Sequence, residues 1–312
     1  MDPNMPDIIL YKFLFNLEFL KDALLPEFKG STFRGAVGWH LKKAVDTLKP
    51  VYDNVFETEG DENNPAVLKG VKKIPHPFIL HPPLINKRDF KTGEIITVGI
   101  TLIGYAHNFL PFFVEAFTTM GEAGITSKGH KFKLRNVLSE DFYKSKYLVY
   151  ERGLSKSKKN YKAITNKDIL KNIDYSTASV KLIFETPFLV QDKDGEIKEN
   201  GKNRITPKLL VTAIENRYKS LAQLFCRSTT DIKKIFIPDQ SVEITNVDIH
   251  DYKMHSFSNR SNSPQEFEGL TGSIKLKGNL KSILPILYIG EKINIGKKTS
   301  YGWGQYKIAI LD

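Results

Sequence analysis

Two segments with the same alternating pattern give the first indication of the fold: ILYKFLFNLEF (9–19) and ASVKLIFETPFLV (178–190). In each of them apolar side chains recur at every second position, and polar side chains such as Lys12 and Lys181 stand between them. Alternate side chains of a strand point to opposite faces. Each segment is therefore predicted to be a half-buried β-strand.

A helix is predicted after each strand. After the first strand, Ser31 or Thr32 can cap a helix that Pro50 ends. Its apolar residues at helical spacing are Phe33, Val37, Leu41, Ala44 and Leu48. After the second strand, Thr206 is the predicted cap and Pro207 the first helical residue. The apolar stripe of this helix consists of Leu210, Ile214, Leu221 and Phe225.

The first half adds a strand, ITVGITLIGYA (96–106), and a helix predicted to be capped at Asn108 and to end before Gly121. Each half therefore runs strand, helix, strands. This order predicts an α+β fold in which a ferredoxin-like, RRM-like unit occurs twice in tandem.

The segment between the halves, 153–174, is polar, basic and poor in large apolar residues. Such a composition is typical of a linker, although its tail can be helical. The sequence therefore predicts an N-terminal domain over 1–165 and a C-terminal domain over 175–312.

The net charge favours a polyanionic partner. The 312 residues contain 46 Lys and Arg against 35 Asp and Glu, which gives a formal net charge of +11. A lysine-rich surface without a partner is the alternative that charge alone leaves open. The apolar runs at 8–20 and 283–289 are too short or too charged to cross a bilayer, which needs ~20 apolar residues. A nucleic acid is therefore the expected partner, and a membrane is not.

Cysteine usage and the N-terminus predict a cytoplasmic protein. Cys226 is the single cysteine, so no intrachain disulfide can form, and no secretory signal pattern opens the chain. No group of His, Cys, Asp and Glu shows metal-ligand spacing. Neither a metal nor another cofactor is expected.

The closing segment GEKINIGKKTSYGWGQYKI (290–308) combines glycines, lysines and aromatic rings. Glycine lets backbone amides approach a phosphate, lysine supplies the opposing charge, and Trp303 and Tyr306 could stack on unpaired bases. The spacing excludes a nucleotide-binding P-loop. A hairpin whose glycines only serve tight turns remains the open alternative.

The segment from 269 to 308, GLTGSIKLKGNLKSILPILYIGEKINIGKKTSYGWGQYKI, resembles the C-terminal signature of the CRISPR-associated RAMP endoribonucleases of the Cas-six family. FKGSTFRGAVGWHLKKAV (28–45) is similar to that family's first loop and helix. PHPFILHPP (75–83) and TGEIITVGITLIGYAHNFLPFFVEAFTTMGEAGI (92–125) are similar to its middle. The resemblance implies two ferredoxin-like domains packed side by side, with RNA held across them.

The resemblance also implies a reaction: metal-independent cleavage of precursor crRNA within the CRISPR repeat. The ribose 2′-hydroxyl attacks the adjacent phosphate and leaves a 2′,3′-cyclic phosphate and a 5′-hydroxyl. Repeat RNA is then the main partner. Contacts with subunits of a CRISPR effector complex and a homodimer are left open. The alternative function is a non-catalytic RAMP-type RNA-binding subunit of such a complex.

The resemblance places the general acid or base of this family on the first helix, where His40 stands. At about 100° per residue, His40 falls on the edge of the apolar stripe and Lys43 follows three residues later on the same flank. His40 and Lys43 are the candidate catalytic residues, and a packing role for His40 stays open. The candidate RNA-binding residues are Lys29, Arg34, Lys42, Arg260, Gly296, Lys297, Lys298, Thr299, Ser300, Tyr301, Gly302 and Gly304.

The chain departs from the family's pattern at two places. Phe28 and Phe33 stand near the first loop, where the family's best-known constellation has a Tyr. Asn294 stands where many relatives carry a His, which puts a second catalytic His in doubt. For His76 and His81, packing is favoured over chemistry because they lie among prolines. His255 lies in a polar segment that either binds RNA or forms a long loop.

Overall fold

The computed structural model describes residues 5–43, 55, 74–126, 128–153, 160–228, 235–258 and 263–311. The chain divides into two compact units. One consists mainly of Ile9–Ile164. The other combines the segment that ends at Ile8 with most residues from Thr165 onwards. No helix among the described residues has the length and apolar character that a membrane span requires.

The described part of the N-terminal unit contains an antiparallel sheet and α-helices. Its strands are β1 (Ile9–Phe19), β2 (Ala23–Leu24), β3 (Phe78–His81), β4 (Asp89–Phe90), β5 (Ile95–Ile103), β6 (Phe132–Glu140) and β7 (Lys146–Glu151). Its helices are α1 (Gly30–Lys43) and α2 (Leu110–Ala123). The main sheet has the order β3-β5-β1-β6-β7. With α1 after β1 and α2 between β5 and β6, this is the ferredoxin-like order.

The chain passes to the C-terminal unit through β8 (Ile164–Thr165). That unit contains, in chain order, α3 (Asn166–Leu170), β9 (Ser179–Phe188), β10 (Gln191–Asp192), β11 (Gly195–Glu196), α4 (Pro207–Cys226), β12 (Glu243–Ser258), β13 (Ser263–Lys277), α5 (Leu284–Ile293) and β14 (Tyr306–Ile310). Its main sheet has the order β12-β13-β9-β14. The ferredoxin-like arrangement therefore occurs a second time, and the predicted α+β fold of two such domains is confirmed.

The alternating burial of side chains along β1 agrees with the predicted half-buried strand. Phe13, Phe15 and Leu17 are completely buried, whereas Lys12 and Asn16 on the other face are partly exposed. The ring of Phe15 stacks on Phe117 of α2, with 4.3 Å between ring centroids. The strand therefore joins the sheet to the helical layer of its own unit.

The two predicted helices of the N-terminal unit differ from expectation at their ends. The helix α1 begins at Gly30, so Ser31 and Thr32 lie inside it and neither is the cap. Its first hydrogen bond runs from the amide of Phe33 to the carbonyl oxygen of Lys29 (3.0 Å). The predicted end of α1 at Pro50 lies outside the described residues.

The helix α2 begins at Leu110 and is not capped by Asn108, whose Nδ2 instead donates to the carbonyl oxygen of Tyr105 (3.0 Å). It also runs through Gly121 to Ala123. Glycine at position 121 serves close packing, since a Cβ there would lie 2.3 Å from the carbonyl oxygen of Phe132 on β6. From sequence alone, a glycine inside a helix that lets another backbone segment come close cannot be distinguished from a glycine that ends the helix.

The start of α4 is as predicted. Thr206 is the N-cap, its side chain accepts a hydrogen bond from the amide of Leu209 (3.1 Å), and Pro207 is the first helical residue. The apolar stripe residues Leu210, Ile214, Leu221 and Phe225 are all buried.

Replacing Thr206 with alanine is expected to lower the free energy of unfolding by about 1 kcal/mol, because the cap acceptor is lost at a helix end. Thr206→Ser keeps the oxygen and should retain most of that free energy. Urea unfolding followed by circular dichroism measures both. Equal stability of the alanine variant and the wild-type protein would show that the cap contributes nothing.

A buried polar cluster ties the start of the chain to the C-terminal unit. Asn166 Nδ2 donates to the carbonyl oxygen of Pro6 (2.8 Å), and the Tyr218 hydroxyl donates to the same oxygen. Asn166 Oδ1 accepts from the amide of Ile8 (3.3 Å). Burial raises the pKa of Tyr218. The first residues therefore belong with a unit that the rest of the chain reaches only after residue 164.

Candidate functional site

The helix α1 positions His40 at the border of the N-terminal core. Phe33, Val37 and Leu41 recur at every fourth position and are buried, which fixes the rotation of the helix. His40 follows Val37 by three residues and therefore lies on the flank of that stripe. Only 9% of its surface is exposed.

The imidazole of His40 is held by the neighbouring helix. Its Nδ1 lies 3.0 Å from the hydroxyl oxygen of Thr119 on α2. The same hydroxyl lies 3.1 Å from the carbonyl oxygen of Glu115 and 3.3 Å from that of Ala116. Because a hydroxyl has one proton, its donation to either carbonyl makes Oγ1 the acceptor of a proton from His40 Nδ1. Sequence reasoning missed Thr119, since nothing in a sequence pairs positions 79 residues apart.

The other candidates on α1 are distributed around the helix. Arg34 is half-buried and Lys42 is exposed. Lys43 is the last residue of α1, and its side chain lies outside the described residues. Trp39 is 43% exposed, and its ring meets that of His40 edge to face with 4.6 Å between centroids. Trp39 was not among the sequence candidates.

Lys29 was predicted to bind RNA, but the structure buries it. Its side chain has no exposed surface, and Nζ donates to the carbonyl oxygens of Glu27 (3.0 Å) and Ile85 (2.9 Å). Burial lowers the pKa of Lys29. Its ammonium ties two backbone segments together and is not presented to a ligand in this conformation.

The glycine-rich segment of the C-terminal unit is a tightly bonded turn. The amide of Ile295 donates to the carbonyl oxygen of Gly304 (3.0 Å), and the amide of Gly304 donates to that of Pro187 (2.7 Å). Gly304 has a φ of +77°, and a Cβ there would lie 2.0 Å from the carbonyl oxygen of Ile295. Gly296, at φ +78°, sits as closely against Leu189. These glycines are required by the backbone path, as the turn alternative anticipates.

The position where relatives often carry a His is also structural here. Asn294 has no exposed surface, and its Nδ2 donates to the carbonyl oxygen of Trp303 (2.9 Å). Its φ of +63° lies in the region that residues with a Cβ rarely adopt. Asn294 therefore closes the loop from inside and does not face a substrate.

The two lysines of the loop have different surroundings. Lys297 is exposed, and its Nζ pairs with Glu196 (3.0 Å). Lys298 packs its ammonium over two rings, 4.4 Å from the centroid of Phe267 and 4.8 Å from that of Trp303. Burial lowers the pKa of Lys298. Lys297 is therefore the more accessible cation of the pair.

The remaining loop candidates are less accessible than the sequence suggests. Thr299, Ser300, Gly302 and Gly304 are buried, and Tyr301 is half-buried with its ring 5.3 Å from that of Phe267. The expectation that Trp303 and Tyr306 stack on bases is wrong for this conformation, because each ring is only 1% exposed. They form part of the core that holds the loop.

A small cleft of about 70 Å³ adjoins this loop and was not foreseen from the sequence. Glu268 is one of the residues that line it, and its carboxylate binds Nζ of Lys198 (2.6 Å) and of Lys253 (2.8 Å). These two lysines lower the pKa of Glu268 to about 2. One carboxylate is thus shared by two ammonium groups. The residues come from separate segments of the chain, so no local pattern could have grouped them.

Three further histidines have their own surroundings within the part of the chain that the structure describes. His81 Nε2 lies 2.8 Å from Thr101 Oγ1, and His107 Nδ1 lies 2.8 Å from the carbonyl oxygen of Gly104. His255 is exposed on β12. Arg260 lies outside the described residues. As RNA contacts or catalytic groups, the sequence candidates on α1 and in the loop stay predictions.

Comparison with known proteins matches both halves of the chain. Residues 8–163, half of the chain, match the family model AF_1859_N, an N-terminal domain. Residues 182–306 match the family model of the CRISPR-associated endoribonuclease Cas6. An uncharacterized protein of Archaeoglobus fulgidus is 24% identical over 299 residues, which cover 91% of this chain and 92% of that protein.

Solved structures share the fold at low sequence identity. Thermus thermophilus Cas6 superposes with a TM-score of 0.53 at 13% identity, over 97% of this chain and 99% of that chain. A chain of a partial Cas6-RT-Cas1–Cas2 complex gives a TM-score of 0.61 at 12% identity. The match covers 99% of this chain but only 47% of that one, so this protein spans about half the length of that relative.

The tandem ferredoxin-like fold, the two family models and the glycine-rich loop within the second model agree with one another. The chain therefore belongs to the AF_1859_N family through its N-terminal half, and its residues 182–306 are similar to the CRISPR-associated endoribonuclease Cas6.

Proposed function

We propose that this protein is a CRISPR repeat-specific endoribonuclease that cuts precursor crRNA within its repeats without a metal ion. The observation that carries the proposal is the pair His40 and Thr119, an imidazole held at one nitrogen on the first helix of a Cas6-family chain. In domain terms, residues 1–165 supply the catalytic helix and residues 175–312 the loop that holds RNA.

The chemistry needs two proton transfers and no protein nucleophile. The 2′-oxygen of the substrate forms a bond to the adjacent phosphorus, and the bond from phosphorus to the 5′-oxygen breaks. The proton of the 2′-hydroxyl goes to a base, and the leaving 5′-oxygen takes a proton from an acid. The products carry a 2′,3′-cyclic phosphate and a 5′-hydroxyl. At a pH near 7, a histidine side chain can either accept or donate the proton in such a transfer.

The contact with Thr119 selects the nitrogen that His40 uses. With the Thr119 proton donated to its own helix, Nδ1–H donates to Oγ1 and the neutral ring keeps its lone pair on Nε2. Nε2 is then the atom that accepts the 2′-hydroxyl proton, or donates one when the ring is protonated. Thr119 acts as a positioning residue in this scheme.

Charge on the phosphorane is offset by cations on the same helix. Lys43 is proposed for this role with Lys42, which is exposed one position earlier. Arg34 is proposed as an RNA contact on the same helix. Lys29 is not retained, because its ammonium is already committed to two carbonyl oxygens in the interior.

The glycine-rich loop is proposed to hold RNA through its exposed cation. Lys297 and Glu196 form an ion pair in which both side chains are about half exposed, 44% and 48%. Exposed pairs of this kind contribute little to stability, so a phosphate can take the place of Glu196 at small cost. Lys298 and Tyr301 border this cation and are proposed to shape the surface around it.

The proposal is tested with repeat RNA from the CRISPR array of the same genome, incubated with excess protein in EDTA. Cleavage at one position, with a cyclic phosphate on one product and a 5′-hydroxyl on the other, is the expected result. A repeat with a single 2′-deoxy nucleotide at the scissile position should resist. Cleavage of the deoxy repeat, or products with 5′-phosphate ends, would contradict the proposed nucleophile.

A second function is favoured by one observation, the 9% exposure of His40 between α1 and α2. A histidine so enclosed serves equally as a packing residue in a non-catalytic RNA-binding subunit of a CRISPR effector complex. A Cas6 chain also occurs in the solved Cas6-RT-Cas1–Cas2 complex, which supports CRISPR proteins as partners. A mobility shift of repeat RNA without any product distinguishes this function from the first.

A further inference from the structure

The cleft beside the glycine-rich loop holds two lysines on one carboxylate. Lys198 follows β11, Lys253 lies on β12 and Glu268 lies on β13, and all three line the cleft. The Glu268 carboxylate binds both ammonium groups, at 2.6 Å and 2.8 Å. Two positive side chains repel each other, so they converge where a negative group stands between them. The chain therefore builds a site for one anionic group and fills it with its own carboxylate.

The glycine-rich loop shares a wall with this cleft. The amide of Lys297 donates to the carbonyl oxygen of Leu189 (2.9 Å), and the amide of Ile197 donates to that of Val190 (3.0 Å). Leu189 and Ile197 line the cleft. Lys297 also pairs with Glu196, another lining residue, at 3.0 Å. The cation that is proposed to hold RNA in the loop therefore stands at the border of the cleft.

Carboxylates of the chain already attract the cations of the cleft. Besides Glu268, Asp251 lines the cleft, and both carboxylates attract Lys198 and Lys253. Glu266 also attracts Lys253. The two lysines lower the pKa of Glu268 to about 2, so this carboxylate is ionised at neutral pH. A second anion can therefore reach the two ammonium groups only in competition with Glu268.

Glu268 can be displaced at small cost. Its side chain is 34% exposed, and those of Lys198 and Lys253 are 55% and 59% exposed. Ion pairs of such exposure contribute little to stability. The cleft of about 70 Å³ is several times larger than the ~10–15 Å³ that one water needs. A phosphate presents oxygens to two donors as a carboxylate does, so it fits the same two ammonium groups.

We infer that Lys198 and Lys253 bind one phosphate of the RNA backbone, and that Glu268 holds the place of this phosphate while RNA is absent. When RNA binds, its phosphate takes the two ammonium groups and Glu268 turns towards solvent. The net charge of +11 and the exposed Lys297 at the border favour a nucleic acid as the source of the phosphate. The inference rests on the proposed binding of RNA by the glycine-rich loop and is independent of cleavage.

Removing the charge of Glu268 is expected to strengthen RNA binding. Affinity is measured at fixed salt with the uncleavable 2′-deoxy repeat, so that cleavage does not enter. Glu268→Gln keeps the size of the side chain and should tighten affinity about 3- to 30-fold, because two exposed ion pairs no longer compete with the phosphate. A carboxylate that only supports the fold would give no gain.

Removing the two lysines is expected to act in the opposite direction. The double variant Lys198→Gln/Lys253→Gln should weaken affinity. The slope of log Kd against log salt reports the number of phosphate contacts, and in this variant it should fall by about 0.7 to 0.9, the change for one contact. Urea unfolding of the same variant checks that the unit remains folded.

Two controls separate the site from the general effect of charge. Glu94→Gln removes an equally exposed carboxylate of the N-terminal unit, whose pair with Lys87 is also 2.6 Å long, and should bind as the wild-type protein does. Glu266→Gln removes a charge two positions before Glu268 on β13 and should give a smaller gain than Glu268→Gln.

Three results would overturn the inference: no gain for Glu268→Gln, an equal gain for either control, or an unchanged salt slope in the lysine variant. If RNA binds as expected but no product forms, the phosphate site stands and the endoribonuclease proposal fails. If the repeat is cut and all charge variants bind alike, the endoribonuclease proposal stands and the phosphate site fails. A wild-type protein that does not bind repeat RNA would overturn both.

Discussion

Replacing His40 with alanine is expected to slow single-turnover cleavage of repeat RNA by about 10²- to 10⁴-fold, the usual contribution of a positioned acid or base. Affinity for the uncleavable repeat should stay within a few-fold of wild type, because a ring that is 9% exposed offers RNA little contact area. The cleavage rate at saturating protein is the measurement that isolates the chemical step.

Two companion variants separate catalysis from packing. His250→Ala removes an exposed histidine of β12 and should cleave as wild type does. Thr119→Val keeps the volume of the side chain but removes the acceptor for His40 Nδ1, so it should lower the rate and displace the pH–rate profile while leaving affinity unchanged. His40→Gln shows how much of any loss comes from the cavity that alanine leaves. Full activity of His40→Ala in a protein with an unchanged Tm would remove His40 from the mechanism.

The second large effect is expected for Gly304→Ala, which should lower the free energy of unfolding by about 3 kcal/mol or more. A φ of +77° disfavours any residue with a Cβ, and here the Cβ would also lie 2.0 Å from a backbone oxygen. A rigid carbonyl cannot turn away as a flexible side chain can, so the loop must open. Urea unfolding followed by Trp303 fluorescence in a Trp39→Phe background reports this unit directly.

Matched glycines isolate the clash from the backbone strain. Gly195 has a φ of +106° in the same unit and Gly93 a φ of +84° in the other, and a Cβ at either would meet no atom of the described residues within 4 Å. Gly195→Ala and Gly93→Ala should each cost about 1–2 kcal/mol, the strain alone. A Gly304→Ala variant no less stable than these two would mean that the loop has another conformation.

Several local features of the fold could be predicted before its geometry was known. The alternation of β1 and β9 and the cap at Thr206 are local patterns, and the structure bears them out. The likeness of 269–308 to a known family pointed to the loop, and residues 182–306 match the Cas6 family model. His40 was chosen as a candidate through the same family likeness, and its catalytic role stays a prediction.

Which of the candidate side chains are exposed depends on the tertiary structure. Lys29 looked like a phosphate contact, yet its ammonium is bound inside by an oxygen of Ile85, 56 residues away. Trp303 and Tyr306 looked like stacking rings, yet they are core. Neither could be known from composition or spacing, because burial is set by residues distant in the chain.

From the sequence alone, the alternation in 9–19 and 178–190 predicted two half-buried strands, because the period of a strand depends only on neighbours two residues apart. The strand, helix, strands order of each half then predicted the repeated ferredoxin-like unit. Only the folded chain decided that Thr119 holds His40 across 79 residues and that the Tyr218 hydroxyl reaches Pro6 across 212. Such contacts form between surfaces that no local pattern encodes. The strands of the fold can therefore be predicted from short-range periodicity, whereas the contacts of the candidate site depend on packing between residues far apart in the chain.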